Sequence, residues 1–423
     1  MAQPAAVPVG AAGTAVRQAS LREHNLALVL RHIAAADRPP SRADLAAATG
    51  LTRATVSALV DDLIGGRLLA QVDPAPRTGA GRPALGLVLG GHGPAGLGLE
   101  INVDYLAACL VDLAGAVRHR AVRRIDLRPV PPSDALALVS ELIAEAGAES
   151  DRQELVLAGT ALAVPGLVTA TGVVRLAPNL GWRDVDVPAA LGGHPALAGR
   201  WLSVDNEANL AALGELHAVG RSSGVGSAGP HDSANFIYIS GEVGIGAGIV
   251  LYGALFRGAR GWSGELGHVP VHPEGRPCRC GGRGCLEQYA GQEAILAGAG
   301  LADRSTTADA AIALLVKSAS RGDPAACRAL VEAATALGVA VSGVINLLDV
   351  DTVVLGGVYA PLARWLGPTI EAEIRRRVLT AAWSPVTVRP ALLGGDAAAL
   401  GAAGSVVRTV LEQPARWLGR AGR

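Results

Sequence analysis

Residues 264–287 read GELGHVPVHPEGRPCRCGGRGCLE and hold three of the five cysteines of this 423-residue chain within eight positions. Disulfides, redox centres, structural metal sites and catalytic metal sites all use such clusters. The glycines let the backbone wrap closely around a small ion. Three thiolates, from Cys278, Cys280 and Cys285, plus one imidazole complete a closed tetrahedral zinc site of the structural kind. His268 and His272 are both near enough in sequence to supply that imidazole.

Composition and cysteine spacing disfavour two of these four kinds of site, the disulfide and the redox centre. The net charge is zero and half of the residues are hydrophobic, which favours a folded protein over a polyelectrolyte binder. No uninterrupted run of about 18 apolar residues is present, and the N-terminus lacks a signal-peptide pattern. We therefore expect a cytoplasmic protein with reduced thiols and no membrane partner, which disfavours a disulfide. The C-x-C spacing also fits a redox role poorly, and Cys109 and Cys327 lie in apolar runs typical of a core.

Three helical patterns follow a tail that is rich in Ala, Pro and Gly. The first helix has apolar residues at helical spacing, namely Leu26, Val29, Leu30 and Ile33. The second begins with a capping box of Ser41 and Asp44 and ends at Gly50. Thr52 can cap the third helix, whose buried face comprises Val56, Leu59, Val60, Leu63 and Ile64.

A short helix, a tight turn and a second helix with a polar leading edge are typical of a helix-turn-helix. The leading edge offers Thr52, Arg53, Thr55 and Ser57 to phosphates and base edges. Two strands around a Gly/Pro-rich loop would form a wing, on which Arg77 and Arg82 could enter a minor groove. The first 90 residues hold nine arginines against six acidic residues, a weak indication of a nucleic-acid face. A three-helix bundle used for dimerisation would show the same periodicity.

After a Gly-rich hinge at residues 90–98, strand-like and helical runs alternate, which predicts α/β architecture. The segment SRADLAAATGLTRATVSALVDDLI, followed by GRP, resembles the winged-helix reader of ROK (repressor, open reading frame, kinase) regulators. The motifs APNLGW, VDNEANLAALGE, GELGH and CRCGGRGCLEQ resemble the same family, in particular its xylose and N-acetylglucosamine repressors. The resemblance covers roughly residues 20–410, and the cysteine motif is its most specific part.

This resemblance implies a winged helix-turn-helix followed by a two-lobed domain with the fold of actin and hexokinase. The implied divisions are a tail over residues 1–18, the winged helix over 19–89 and the ROK domain over 90–423. Lobe one would span about 95–205 plus the C-terminal helix, and lobe two about 206–397. The family pattern selects His268 as the fourth zinc ligand and makes His272 a loop residue. The implied sugar-binding residues are Asn179, Asn206, Glu207, Glu265, His268 and Glu287.

The phosphate loops depart from those of ROK kinases. The kinase loop D-x-G-G-T is matched by residues 100–104, where Glu100 opens the segment and Asp104 replaces the hydroxyl residue. The second loop, G-T-G-x-G, is matched by residues 242–246, and it begins with Glu242. Glu207 stands at the position of the catalytic aspartate, one methylene longer. Carboxylates facing a triphosphate repel it, so we expect no kinase activity, although Gly356 and Gly357 remain.

The expected function is that of a sugar-responsive transcriptional regulator, most simply a repressor of carbohydrate uptake or catabolism genes. Its partners would be a double-stranded DNA operator, a small sugar or amino-sugar effector, and further copies of the chain in a homodimer or homotetramer. One alternative is an active ROK sugar kinase. Another is a DNA-binding protein whose second body only oligomerises.

Overall fold

The computed structural model describes residues 18–73, 85–222, 235–302 and 307–421. Two compact units are present. One comprises Met1–Gly90 together with Thr409–Arg423, and the other comprises Gly91–Arg408.

The N-terminal unit is a winged helix-turn-helix. Its elements are α1 (Gln18–Ala34), α2 (Arg42–Thr49), α3 (Arg53–Gly65), β1 (Leu69–Val72) and β2 (Gly86–Leu89). The two strands pair antiparallel. Most of the apolar residues at helical spacing are buried as predicted, namely Leu26, Val29, Leu30, Ile33, Val56, Leu59, Val60 and Leu63. Ile64, also expected on the buried face, is only half-buried at the end of α3. The predicted winged-helix fold is therefore confirmed, with α3 in the position of a recognition helix.

The first lobe of the larger unit is built on a five-stranded sheet. Its elements are β3 (Pro94–Ile101), β4 (Tyr105–Asp112), β5 (Val117–Arg124), α4 (Pro132–Arg152), β6 (Val156–Val164), β7 (Leu167–Val168), β8 (Val173–Ala177), β9 (Trp182–Asp186), α5 (Val187–Leu191) and β10 (Trp201–Asn206). The sheet order is β10-β6-β3-β4-β5, and β7, β8 and β9 form a separate small sheet.

The second lobe contains another five-stranded sheet, of order β13-β12-β11-β14-β15. Its elements are α6 (Glu207–Ser222), β11 (Phe236–Gly241), β12 (Ile245–Leu251), β13 (Ala254–Leu255), α7 (Glu287–Ala290), α8 (Gln292–Gly298), α9 (Ala308–Ser320), α10 (Pro324–Leu348), β14 (Thr352–Gly357), α11 (Ala363–Arg377) and β15 (Thr387–Pro390). Helix α12 (Ala397–Glu412) packs on the sheet of the first lobe, since a Cβ on Gly98 of β3 would be 1.9 Å from the Ala399 carbonyl, and it also contacts α6. In both sheets an antiparallel meander of three strands is extended by two parallel strands. The two lobes therefore share one sheet topology, and the resemblance had predicted a two-lobed domain.

Helix α10 is the one helix of the described ranges that is long and apolar enough to cross a membrane. More than half of its most apolar window is buried inside the protein. Leu330, Leu337 and Val341 contribute to the core of the second lobe. Since core helices of globular proteins pass the same test of length and composition, α10 is accounted for as a core helix.

The C-terminal helix α13 (Pro414–Ala421) packs within the N-terminal unit. The indole Nε1 of Trp417 donates a hydrogen bond of 2.9 Å to the carbonyl of Gly66, which is the C-cap residue of α3. Leu418 lies so close that a Cβ on Gly66 would be 2.2 Å from its Cδ2. The sequence predicted that these residues belong to the ROK domain over 90–423. In the structure they belong to the N-terminal unit and contact the C-terminal end of α3.

Replacing Trp417 with Ala should destabilise the N-terminal unit by about 3 kcal/mol, because a buried indole and its hydrogen bond are both lost. Hydrogen–deuterium exchange should be faster in peptides covering residues 53–66. Trp383→Ala is a matched control, since Trp383 is 81% exposed. Unchanged exchange in α3 of the Trp417 variant would show that α13 is dispensable.

Candidate functional site

The N-terminus of α3 presents the predicted DNA-contacting edge. Gly50 ends α2 in the left-handed region, with φ of 73°, and Thr52 caps α3 by accepting the backbone N–H of Thr55. Thr52 and Arg53 are exposed. The guanidinium of Arg53 is therefore available to a guanine edge or a phosphate.

Two other predicted contacts are less available to DNA. Thr55 and Ser57 are half-buried, and Ser57 Oγ accepts a hydrogen bond of 2.6 Å from Arg42. Arg42 also pairs with Asp61, so Ser57 belongs to the joint between α2 and α3. The exposed positions of the first turns are instead Ala54 and Ala58, whose methyl groups can contact thymine. The wing residues Arg77 and Arg82 lie outside the described residues.

The cysteine motif brings four metal-ligating side chains together. Nδ1 of His268 and the sulfurs of Cys278, Cys280 and Cys285 contribute ligand atoms that all lie within 4.8 Å of one another. The Cys280 and Cys285 sulfurs are 3.7 Å apart, far beyond the ~2.05 Å of a disulfide. Tetrahedral zinc with Zn–S bonds of ~2.3 Å separates two sulfurs by roughly 3.8 Å. These residues therefore fit a structural zinc ion.

Backbone geometry around the cluster supports the same donor set. The amide of Gly282 points at the Cys280 sulfur at 3.4 Å, and Nε2 of Gln288 points at the Cys278 sulfur at 3.6 Å. Such donors stabilise thiolates, and the Gly282 contact lowers the pKa of Cys280. Gly284 has φ of 70°, and a Cβ there would be 1.6 Å from the His272 carbonyl. His272 itself stacks on Tyr289 and is exposed, so it is a loop residue.

A cleft lies beside this cluster in the larger unit. Its space, counted to the open mouth, is about 720 Å³. All six predicted sugar-binding residues line it, namely Asn179, Asn206, Glu207, Glu265, His268 and Glu287. A Cβ on Gly244 would lie 2.8 Å from Asn179 Nδ2 and 2.9 Å from Glu287 Oε2, so these two side chains face the same small volume.

His268 connects the metal cluster to the cleft. Its Nδ1 faces the Cys278 sulfur at 3.9 Å, which leaves Nε2 for the cleft. Burial raises the pKa of Glu265 and of Glu287, whereas the nearby imidazole acts in the opposite direction on both. Gly264 holds Glu265 in place, because its φ of 101° and a distance of 1.9 Å from a Cβ to the Ala247 carbonyl admit only glycine.

Asn206 makes hydrogen bonds to the backbone that the sequence did not predict. Its Oδ1 accepts the amides of Ala208 and Asn209 at the start of α6, and its Nδ2 donates to the Gly166 carbonyl at 3.0 Å. Asn206 thus positions Glu207, the first residue of that helix. Burial raises the pKa of Glu207 to about 8, and repulsion from Glu265 contributes.

Comparison with known proteins identifies the family. The ROK family profile matches residues 96–408, and that of the IclR helix-turn-helix domain matches residues 25–73. This chain belongs to the ROK family. The xylose repressor of Bacillus subtilis (strain 168) is 28% identical over 395 residues, which is 93% of this chain and 98% of the relative. A glucokinase of Halalkalibacterium halodurans is 31% identical over 296 residues, 64% of this chain and 84% of the relative.

A solved structure extends the likeness to the whole chain. It is a ROK family transcriptional regulator described as a homolog of the E. coli MLC protein. The TM-score is 0.75 at 25% identity, and the match covers 95% of this chain and 98% of that one. Both predicted parts of the fold, the winged helix and the two-lobed ROK domain, are therefore confirmed. The family includes repressors and kinases alike.

The segment that we matched to the first kinase phosphate loop, residues 100–104, carries hydrogen bonds among its own side chains. Oε1 of Glu100 accepts hydrogen bonds from the Tyr105 hydroxyl at 2.6 Å and, more weakly, from Asn102 Nδ2 at 3.5 Å. Asn102 Nδ2 also lies 3.1 Å from the Tyr105 hydroxyl. Burial raises the pKa of Glu100 to about 7.

The segment that we matched to the second kinase phosphate loop, residues 242–246, carries a further carboxylate. Glu242 lies in the β11–β12 turn, and a Cβ on Gly357 would be 3.1 Å from its Oε1, so the carboxylate covers the end of β14. Burial raises its pKa well above the usual range, and repulsion from Glu100 and Asp104 adds to this. Val243, the next residue, packs against the core of the first lobe. The turn thereby reaches across the cleft.

Proposed function

We propose that this protein is a sugar-responsive, DNA-binding transcriptional regulator, and specifically a repressor of carbohydrate uptake or catabolism genes. One observation carries the proposal. A winged helix-turn-helix is joined in one chain to a ROK domain whose cleft is lined by all six residues expected to contact a sugar, and by the carboxylate of Glu242. The implied partners are double-stranded DNA and a small sugar, and the implied compartment is the cytoplasm.

Zinc would act structurally in this scheme. His268, Cys278, Cys280 and Cys285 would hold the ion, which supplies a fixed tetrahedral anchor without an open coordination position. With Nδ1 engaged, the His268 ring is oriented so that Nε2 faces the cleft. The carboxylates of Glu265 and Glu287 can then accept hydrogen bonds from the hydroxyls of a sugar ring, and each carboxylate can bridge two hydroxyls.

The regulatory step would be a shift between two states. A sugar that binds better to a closed cleft favours the closed lobes. In a homodimer or homotetramer, lobe closure would change the spacing of the winged helices relative to the operator half-sites. Moving the population from 99:1 to 1:99 requires about 5.5 kcal/mol of preference between the states.

DNA binding is tested by selecting duplexes from a random-sequence pool with the full-length, zinc-loaded protein. We expect enrichment of one sequence whose affinity exceeds that of random duplex by about 1,000-fold or more at fixed salt. If no sequence is enriched, the N-terminal unit is not a specific reader, and the proposal fails.

The family also contains kinases, so phosphoryl transfer is tested directly. A coupled assay with ATP, Mg²⁺ and a panel of hexoses and amino sugars should show turnover far below ~1 s⁻¹. The physical reason is that Glu100 and Glu242 occupy positions where a triphosphate would be repelled. Turnover of ~1 s⁻¹ or faster would make the chain an active sugar kinase and overturn the sensor-only interpretation.

A further inference from the structure

The cleft is strongly acidic. Four carboxylates line it, those of Glu207, Glu242, Glu265 and Glu287, against the single guanidinium of Arg279. Arg279 is itself paired with Glu293 at 3.3 Å. The hydroxyls of a neutral sugar need hydrogen-bond acceptors but no net negative charge, so a neutral ring does not account for the excess of carboxylates.

Part of this excess lies near the β3–β4 turn, where Glu207 and Glu242 repel each other and form what we call the acidic end of the cleft. Glu207 and Glu242 line this end, where Asn102, Val103 and Gly246 are also found. Glu100 and Asp104 lie close enough to repel Glu242. A Cβ on Gly246 would be 3.7 Å from Glu207 Oε1, so the Glu207 carboxylate lies beside Gly246, and both residues line the cleft.

Two buried carboxylate oxygens, one at this end and one next to it on β3, lack a hydrogen bond of normal geometry. Oε2 of Glu207 and Oε2 of Glu100 are shielded from solvent and accept no hydrogen bond of that geometry from the described residues. The Glu100 residue is only 3% exposed. A buried, unsatisfied acceptor is costly, and at Glu207 it faces a ligand cleft. Such an oxygen indicates a missing donor, and a positively charged one satisfies it best.

We propose that this acidic end binds the protonated amine of the effector, so that the ligand is a basic amino sugar rather than a neutral or N-acetylated one. The ring hydroxyls would lie against Asn179, Glu265 and Glu287, and the ammonium group against Glu207 and Glu242. This inference rests on the proposed function and specifies its ligand class.

An ammonium group fits this end better than a metal ion or a phosphate. Apart from the His268 cluster, no three carboxylate, thiolate or imidazole ligand atoms in the described ranges are packed closely enough to hold a metal. A phosphate would meet Glu242 and Glu207 without a compensating cation. Burial and mutual repulsion raise the pKa of Glu207 to about 8 and raise that of Glu242, and an ammonium group among these carboxylates relieves that repulsion.

The test compares matched sugars on the zinc-loaded, full-length protein by calorimetry near pH 7. The set comprises glucose, its 2-, 3- and 6-amino-deoxy derivatives, and the corresponding N-acetyl derivatives, which have no charge. We expect at least one amine to bind with a Kd at least about tenfold lower than both glucose and its own N-acetyl form. Glu242→Gln should reduce that preference to within about threefold while glucose affinity changes little.

Two further variants complete the design. Glu207→Gln is an independent change at the same end, in case Glu242→Gln does not fold. Glu154→Gln removes an exposed carboxylate before β6, at the opposite end of that strand from the cleft residues Pro165 and Gly166, and should keep the full amine preference.

The outcomes separate the inference from the proposed function. Neutral sugars that bind as tightly as every amine would overturn the inference and leave the regulator intact. An amine preference undiminished in both Gln variants would overturn the assigned residues. Stabilisation of the protein by Mg²⁺ alone, in competition with the amine, would make the acidic end a metal site instead. Absence of binding by any sugar would overturn the inference and the proposed function together.

Discussion

Replacing Cys285 with Ser should remove zinc and sugar affinity in a single step. The Cys285 sulfur is one of four ligand atoms that lie within 4.8 Å of one another. Cys285 is only 3% exposed, so solvent has little access to take the place of its sulfur as a metal ligand. Without the ion, His268 loses the anchor that turns it toward the cleft. We expect metal analysis to fall from about one zinc per chain to near zero, and the sugar Kd to rise at least about tenfold.

The matched control is Cys327→Ser, a cysteine on α10 that lies outside the cluster and is half-buried. This variant should keep both zinc and sugar affinity. If Cys285→Ser lost its zinc but bound sugar as tightly as the unmodified protein, the coupling through His268 would be disproved. If both variants lost sugar affinity equally, the effect would be general destabilisation.

Replacing Arg53 with Ala should weaken specific DNA binding by about 10- to 100-fold, which corresponds to the ~1–3 kcal/mol of a bidentate arginine–guanine contact. Arg53 is the exposed arginine at the start of α3, next to the capping residue Thr52. Fluorescence anisotropy on the selected duplex gives the measurement, at one fixed salt concentration because phosphate contacts make affinity depend on salt.

Arg31→Ala makes the same charge change on the exposed side of α1 and controls for non-specific attraction. It should weaken binding to selected and random duplexes by the same small factor. An Arg53 variant with the affinity of the unmodified protein, or with an equal loss on random DNA, would remove Arg53 from base recognition.

Local sequence signals predicted much of this structure. The capping box of Ser41 and Asp44, and the cap at Thr52, define the starts of α2 and α3 as observed. The cysteine spacing, with His268 selected by the family pattern, predicted the four metal-ligating side chains that the structure brings together. These features are encoded within about ten neighbouring residues, where backbone geometry limits what a motif can form.

Contacts between distant parts of the chain could not be predicted. Trp417 donates to Gly66 across 351 positions, and no local pattern encodes that pairing. Ser57 was expected on an exposed edge, but Arg42 from the preceding helix reaches its hydroxyl. Asn206 was expected to serve the sugar, whereas its amide is largely used by backbone groups of Gly166, Ala208 and Asn209.

The acidic end of the cleft shows which features can be predicted from sequence and which cannot. Glu100 and Glu242 were recognisable as carboxylates at phosphate-loop positions. The surroundings of these two carboxylates, and the unsatisfied oxygens of Glu100 and Glu207, depend on how β3, α6 and the β11–β12 turn pack together. A charge can therefore be counted from sequence, but its energetic cost depends on the fold.

The most direct test of the central proposal is the affinity of the zinc-loaded protein for its selected duplex, measured while neutral and amino sugars are added. At least one sugar that calorimetry shows to bind should change the DNA Kd by about tenfold or more at constant salt. An unchanged DNA Kd at saturating concentrations of every bound sugar would contradict the account, because the cleft and the DNA-binding unit would then be uncoupled.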